Sequence, residues 1–141
     1  MDDSKRRLLW NGLLLFALGL LSGFVEQKFT NPRMGLAAHL EGLLNGLFLV
    51  ALGAIWGGVH LSSRAKTLAL WSALYGAYAN WAVTVLAAVF GTAALSPLTA
   101  AGHSASSWQE TVVTLGFATV GISMLGSSGL TLWGLRRLAA P

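Results

Sequence analysis

Two groups of residues in this chain have the types and spacing to do chemistry. The first is Ala38-His39-Leu40-Glu41-Gly42-Leu43-Leu44-Asn45-Gly46. Its imidazole can give an electron pair to a metal or move protons near neutral pH, and its carboxyl can hold or release a proton. The second is Tyr75-Gly76-Ala77-Tyr78-Ala79-Asn80-Trp81, followed by Thr84, which lies one helical turn beyond Asn80. Both groups interrupt stretches that otherwise read as membrane-spanning, where buried ionisable side chains are costly and by default mark function. A Ser-His-Asp set, a phosphate loop and a zinc HExxH motif are all missing from the sequence, so hydrolase and nucleotide chemistry are disfavoured.

On a helix of about 100° per residue, Gly35, His39, Gly42, Gly46, Gly53 and Gly57 fall within roughly 60° of one another. Gly42-xxx-Gly46 and Gly53-xxx-Gly57, with Gly19-xxx-Gly23 earlier in the chain, have the spacing that lets helix backbones approach closely in lipid. Close packing accounts for such glycines, yet a smooth face beside one imidazole also admits a flat ligand such as a porphyrin, with His39 as axial donor. Glu41 and Asn45 share a second face, roughly 120–160° round from His39 by the same spacing. Glu41 reads as a hydrogen-bonded structural carboxyl, a partner for Arg33, or a proton-handling group. Asn80 and Thr84 share a face with Ala73, Gly76, Ala87 and Gly91, opposite Trp71, Tyr75 and Tyr78. Asn80 is either interhelical glue or part of a site. His60, beside Ser62-Ser63-Arg64, and His103, in a Gly/Ser loop, are expected to be solvated.

These residues must be positioned by membrane helices. The chain is 55% hydrophobic and 10% charged, with a mean hydropathy of +0.65; an ordinary soluble domain carries about a quarter charged residues. Residues 8–25, 42–63, 67–109 and 111–135 contain no Asp, Glu, Lys or Arg. About 20 apolar residues cross the hydrocarbon core, so the spacing predicts an all-α integral membrane four-helix bundle. It forms a single membrane domain over 1–141, with helices at about 8–28, 33–61, 66–94 and 108–135. Trp10, Trp56, Trp108 and Trp133 fall near the predicted ends, at interface depth. Asn31-Pro32 offers an N-cap with proline at the first helical position, and Ser107-Trp108-Gln109-Glu110 fits a capping box. The segment from Ser96-Pro97 to Ser107 is the longest predicted loop. No soluble domain, long tail or cleavable leader is expected, the apolar run after Lys5-Arg6-Arg7 being too long for a leader.

Lys5, Arg6, Arg7, Arg64, Lys66, Arg136 and Arg137 fall at one end of the predicted bundle, against Lys28 and Arg33 at the other. The positive-inside rule then puts both termini in the cytoplasm, as expected in a bacterial inner membrane. This topology also explains the basic pI without a nucleic-acid partner. With no cysteine, disulfides, thiolate metal sites and covalently attached c-type haem are excluded.

Asn31-Pro32-Arg33-Met34-Gly35-Leu36 leading to His39-Leu40-Glu41-Gly42, then Leu74-Tyr75-Gly76-Ala77-Tyr78-Ala79-Asn80-Trp81, Gly102-His103 and Gln109-Glu110, together resemble the hydroxylaminobenzene mutases. These are small membrane isomerases related to the styrene oxide isomerases, and the resemblance covers nearly the whole chain. It implies a homotrimer of four-helix chains holding haem b near subunit interfaces through one histidine of the second helix, with ferric iron as a Lewis acid and no net redox change. His39, Asn45 and Gly46 match the family's haem histidine and the asparagine-glycine six residues on; Tyr78-Ala79-Asn80 matches its third-helix asparagine. Styrene oxide isomerases carry a tyrosine where this chain has Thr84, and lack an acid at the position of Glu41. Both departures favour the mutase branch. The resemblance therefore implies rearrangement of a small aromatic hydroxylamine to an aminophenol. His39, Gly42 and Gly46 would hold haem, Asn45 and Asn80 would position substrate, Thr84 and Tyr78 would line the pocket, and Glu41 would move a proton. Epoxide-to-aldehyde isomerisation is the alternative within the family. A small proton-coupled drug transporter and an electron-carrying cytochrome b are alternatives from other classes, the latter disfavoured by the single deeply placed histidine.

Overall fold

The computed structural model describes residues 3–136. Among them, four helices are long and apolar enough to cross a membrane: α1 (Asp3–Val25), α2 (Pro32–Ile55), α3 (Ser63–Phe90) and α5 (Ser107–Leu135), with a single-turn α4 (Pro97–Ala100) between the last two. The chain is an all-helical integral membrane protein. Arg137 lies outside the described residues.

Local chemistry sets the ends. Asn31 caps α2, its Oδ1 accepting the Met34 N–H at 3.1 Å, and Pro32 takes the first helical position. Helix α2 stops sooner than the predicted residue 61, passing into a 3₁₀ turn over Trp56–Gly58, where paired glycines weaken helix propensity. Helix α3 ends at Phe90 rather than near 94, because Gly91 takes a left-handed conformation (φ 71°) and its N–H closes on the Ala87 carbonyl. The expected loop after it contains α4. The capping box of α5 sits one residue earlier than expected: Ser106 is the N-cap, and Gln109 Oε1 accepts its N–H at 3.0 Å. Glu110 is thereby released, and its carboxylate accepts the backbone N–H groups of Ala93, Ala94 and Ala105 at 2.9–3.1 Å. One acid thus ties the α3–α5 connection to the start of α5.

Helix α2 is central, packed between α1 and α3, while α5 packs on α3. The α1–α2 contact is made backbone to backbone, and the α3–α5 contact seats the Met124 side chain against Gly76 and Val83 against Gly116. Ser127 Oγ also donates to the Ala69 carbonyl at 3.0 Å. Leu8, Leu15, Leu49, Leu52, Ala73 and Ala77 form the principal core. The outward side of α5 carries Ile122 and Leu125, 75% and 77% exposed, a composition suited to lipid contact.

Trp56 falls at the end of α2 as expected and is fully buried within the protein, with Lys66 Nζ 5.6 Å from its ring centroid. The basic residues gather as expected: Arg7 lies over Trp71, Lys66 over Trp56, and the His60 N–H donates to the Gly134 carbonyl. These contacts bring the start of α1, the α2–α3 connection and the end of α5 to one end. At the other end, beside Lys28 and Arg33, Asn31 Nδ2 donates to the Thr99 and Ala100 carbonyls.

Candidate active site

His39 stands two turns into α2 on the side facing α1. A Cβ on Gly19 would lie 2.7 Å from the Gly42 carbonyl carbon, and one on Gly46 2.7 Å from the Gly12 oxygen. The two glycine surfaces therefore touch, as small residues permit in lipid. This contact carries the Gly19 carbonyl to 2.7 Å from His39 Nδ1. A carbonyl oxygen only accepts, so Nδ1 bears the hydrogen, and in the neutral ring the lone pair is on Nε2. Gly23 leaves room for the ring, since a Cβ there would stand 2.8 Å from Nδ1. Among the described residues Nε2 has no hydrogen-bond partner, and it is not sealed inside the protein. An imidazole anchored through one nitrogen and open at the other has the arrangement of a metal ligand with its outer partner in place.

The same contact corrects the reading of the glycine face. Gly42 and Gly46 are buried against the backbones of Gly19, Gly12 and Phe16, so that surface is occupied by α1 and has no room for a porphyrin. What remains for a flat ligand is the open Nε2 edge of His39.

Glu41 and Asn45 point from α2 toward α3, as their angular offset from His39 requires. Asn45 Nδ2 donates to Glu41 Oε2 at 2.9 Å and to the Glu41 carbonyl at 2.8 Å. Asn80 Nδ2, from α3, donates to the same Oε2 at 2.5 Å. Both donors fall on one oxygen, leaving Glu41 Oε1 without a partner among the described residues and not sealed from the surface. Since amide N–H groups only donate, a proton held by this carboxyl resides on Oε1. The Oδ1 atoms of both asparagines are likewise unpartnered among the described residues and not sealed. The suggested Glu41–Arg33 pair does not form. The ion pair among the described residues is the exposed Arg6–Asp3 contact at 3.6 Å.

Thr84 is buried one turn along α3 and donates to the Asn80 carbonyl at 2.7 Å. Tyr78 is not part of this cluster. Its hydroxyl donates to the Asn11 carbonyl at 3.2 Å and to Asn11 Oδ1 at 3.1 Å, and it lines a separate cavity of about 570 Å³ toward the basic end. A 100° step per residue separates Tyr78 from Asn80 by about 160°, which places them on opposite sides of α3. His60 is exposed and His103 half-buried, each with Nδ1 on a nearby carbonyl.

Trp81 was visible in the sequence only as part of a motif. Its indole N–H crosses to Ser22 Oγ at 3.0 Å, and its Cδ1 lies 3.0 Å from where a Gly42 Cβ would stand. The signal was available: an indole donor in an apolar helix needs an acceptor, and Ser22 is one turn from the Gly19–Gly42 contact.

The fold and the site define a small integral membrane protein carrying an acid–base group and a potential metal ligand on one central helix. The family model for styrene oxide isomerase matches residues 4–136. The chain belongs to that family and is an isomerase. It is 45% identical over 136 residues to Hydroxylaminobenzene mutase HabB of Ectopseudomonas oleovorans, covering 96% of this chain and 83% of the relative. It is 37% identical over 128 residues to Hydroxylaminobenzene mutase HabA of the same organism, covering 90% and 95%. No solved structure matches the chain.

Proposed function

We propose that this isomerase converts aryl hydroxylamines, hydroxylaminobenzene among them, to 2-aminophenols. The observation that carries the reading is the Glu41 carboxyl, held by Asn45 and Asn80 through Oε2 with Oε1 open. The relatives named for that mutase support it. The reaction moves a hydroxyl from nitrogen to the ortho carbon: the N–O bond breaks, a C–O bond forms, carbon loses a proton and nitrogen gains one. Oxidation state is unchanged overall, so the chain needs to supply a proton carrier and a water-poor pocket.

Glu41 Oε1 takes the proton leaving the ring carbon and returns one to nitrogen. Asn45 and Asn80 hold that carboxyl, and their open Oδ1 atoms accept hydrogen bonds from the substrate N–H and O–H. Thr84 steadies the Asn80 backbone through its hydrogen bond to the Asn80 carbonyl. The surrounding apolar helices exclude water that would capture the positive charge developing on the arylamine. His39 would hold haem b through Nε2, a role supported by its Nδ1–H bond to Gly19. Ferric haem bound there would supply a Lewis acid for the hydroxylamine oxygen. Gly42 and Gly46 serve this arrangement indirectly, by holding α1 where its carbonyl meets His39.

His39 turns toward α1 and the Glu41 cluster toward α3, so one chain does not bring them to a common cavity. In this reading a homotrimer in the bacterial inner membrane completes the site. Epoxide-to-aldehyde isomerisation is the second reading, favoured by the name of the matching family model. The test is turnover of phenylhydroxylamine and of styrene oxide by detergent-purified wild type and His39→Ala, beside their visible spectra. The expected result is 2-aminophenol formation and a Soret band, both lost in the variant. Aldehyde from styrene oxide without aminophenol would select the second reading, and a colourless active wild type would remove haem.

A further inference from the structure

The basic end holds a cleft that the reaction does not use. Cavities of about 310, 570 and 460 Å³ adjoin there: Arg7 and Asn11 line the first two, and Trp71 lines the last two. Arg7 Cζ stands 6.0 Å from the Trp71 ring centroid, a cation–π arrangement that steadies the side chain. Among the described residues Arg7 has no carboxylate partner, the ion pair being Arg6–Asp3. Arg64 lines the cavity on the far side of Trp71. Asn11 is already committed, its Nδ2 to the Arg7 carbonyl and its Oδ1 to Tyr78, so it acts as a fixed wall. Trp10 and Trp71 are 63% and 53% exposed, and exposed tryptophans beside arginines mark headgroup depth.

We propose that this α1–α3 cleft binds an anionic phospholipid whose phosphate pairs with Arg7, which Trp71 steadies, while Arg64 adds positive charge at the adjoining rim. The phosphate supplies the negative charge that the arginines lack. Exposed Leu68, lining the Arg64 cavity, offers the apolar surface that an acyl chain needs and a free anion does not. Basic pockets between membrane helices recognise lipid headgroups in this way, each arginine contributing about fivefold in affinity.

The test is native mass spectrometry of the detergent-solubilised full chain titrated with phosphatidylglycerol, phosphatidylcholine or inorganic phosphate. Wild type is expected to bind phosphatidylglycerol several-fold more tightly than phosphatidylcholine. Arg7→Gln should reduce that preference about fivefold, while Arg33→Gln at the opposite end leaves it intact. Should Arg7→Gln fail to fold, Arg64→Gln on the exposed rim carries the same expectation. Equal binding of the two lipids by wild type overturns the proposal, as does equal loss of preference in Arg33→Gln. Displacement of phosphatidylglycerol by millimolar inorganic phosphate would assign the site to a free anion and overturn the lipid. Cross-linking of a Trp71→Cys variant to a second copy would overturn it too, by showing the cleft covered by protein.

Discussion

At the scale of single residues, two side chains on α2 have one end anchored and the other open. Glu41 is anchored at Oε2 by two amides and open at Oε1; His39 is anchored at Nδ1 by a carbonyl and open at Nε2. Glu41→Gln keeps the volume but removes the proton carrier. We expect aminophenol formation to fall about 100-fold or more, with helical content by circular dichroism unchanged; near-normal turnover would make Glu41 purely structural. Gly23 controls the other side chain, because a Cβ there would press on the His39 ring at 2.8 Å. Gly23→Val should displace the imidazole from the Gly19 carbonyl. Nitrogen NMR of the histidine ring in haem-free protein is the direct check, expected to lose the single Nδ1–H tautomer of wild type. A retained tautomer would show that the ring has room to spare.

At the scale of helices, the decisive contact is α1 against α2. Glycines on both sides let the backbones touch, and the approach sets the Gly19–His39 bond. Gly46→Leu inserts a side chain where even a Cβ would meet Gly12 and Phe16 backbone atoms at 2.7 Å. The expected cost is about 1–3 kcal/mol or more, as for other overpacked cores. A lowered Tm in detergent, together with loss of the Soret band expected of the proposed haem, would report both consequences. An unchanged Tm would mean that α1 and α2 separate freely, contrary to the contact described.

At the scale of the whole molecule, α2 carries both groups but presents them to different neighbours, and the basic residues collect at one end. Arg7, Arg64, Lys66 and Arg136 on that end outweigh Lys28 and Arg33 on the other, so we expect the positive-inside rule to hold. Reporters fused to either terminus should both read as cytoplasmic. A periplasmic reading at both would invert the chain and place the α1–α3 cleft on the outer leaflet.

The helices, the cap at Asn31 and the candidate residues His39, Glu41, Asn45, Asn80 and Thr84 were legible in the sequence, because hydropathy and capping depend on near neighbours alone. Angular spacing also separated His39 from Glu41 correctly. Their partners were not legible. The Gly19 carbonyl lies 20 residues from His39, and Asn80 lies 39 residues from Glu41; only helix packing brings them together. The same packing filled the Gly42–Gly46 face with α1, gave the Tyr78 hydroxyl its Asn11 partner and buried Trp56. A glycine surface looks alike in sequence whether it awaits a ligand or another helix, and tertiary structure decides because only one of them can occupy the space.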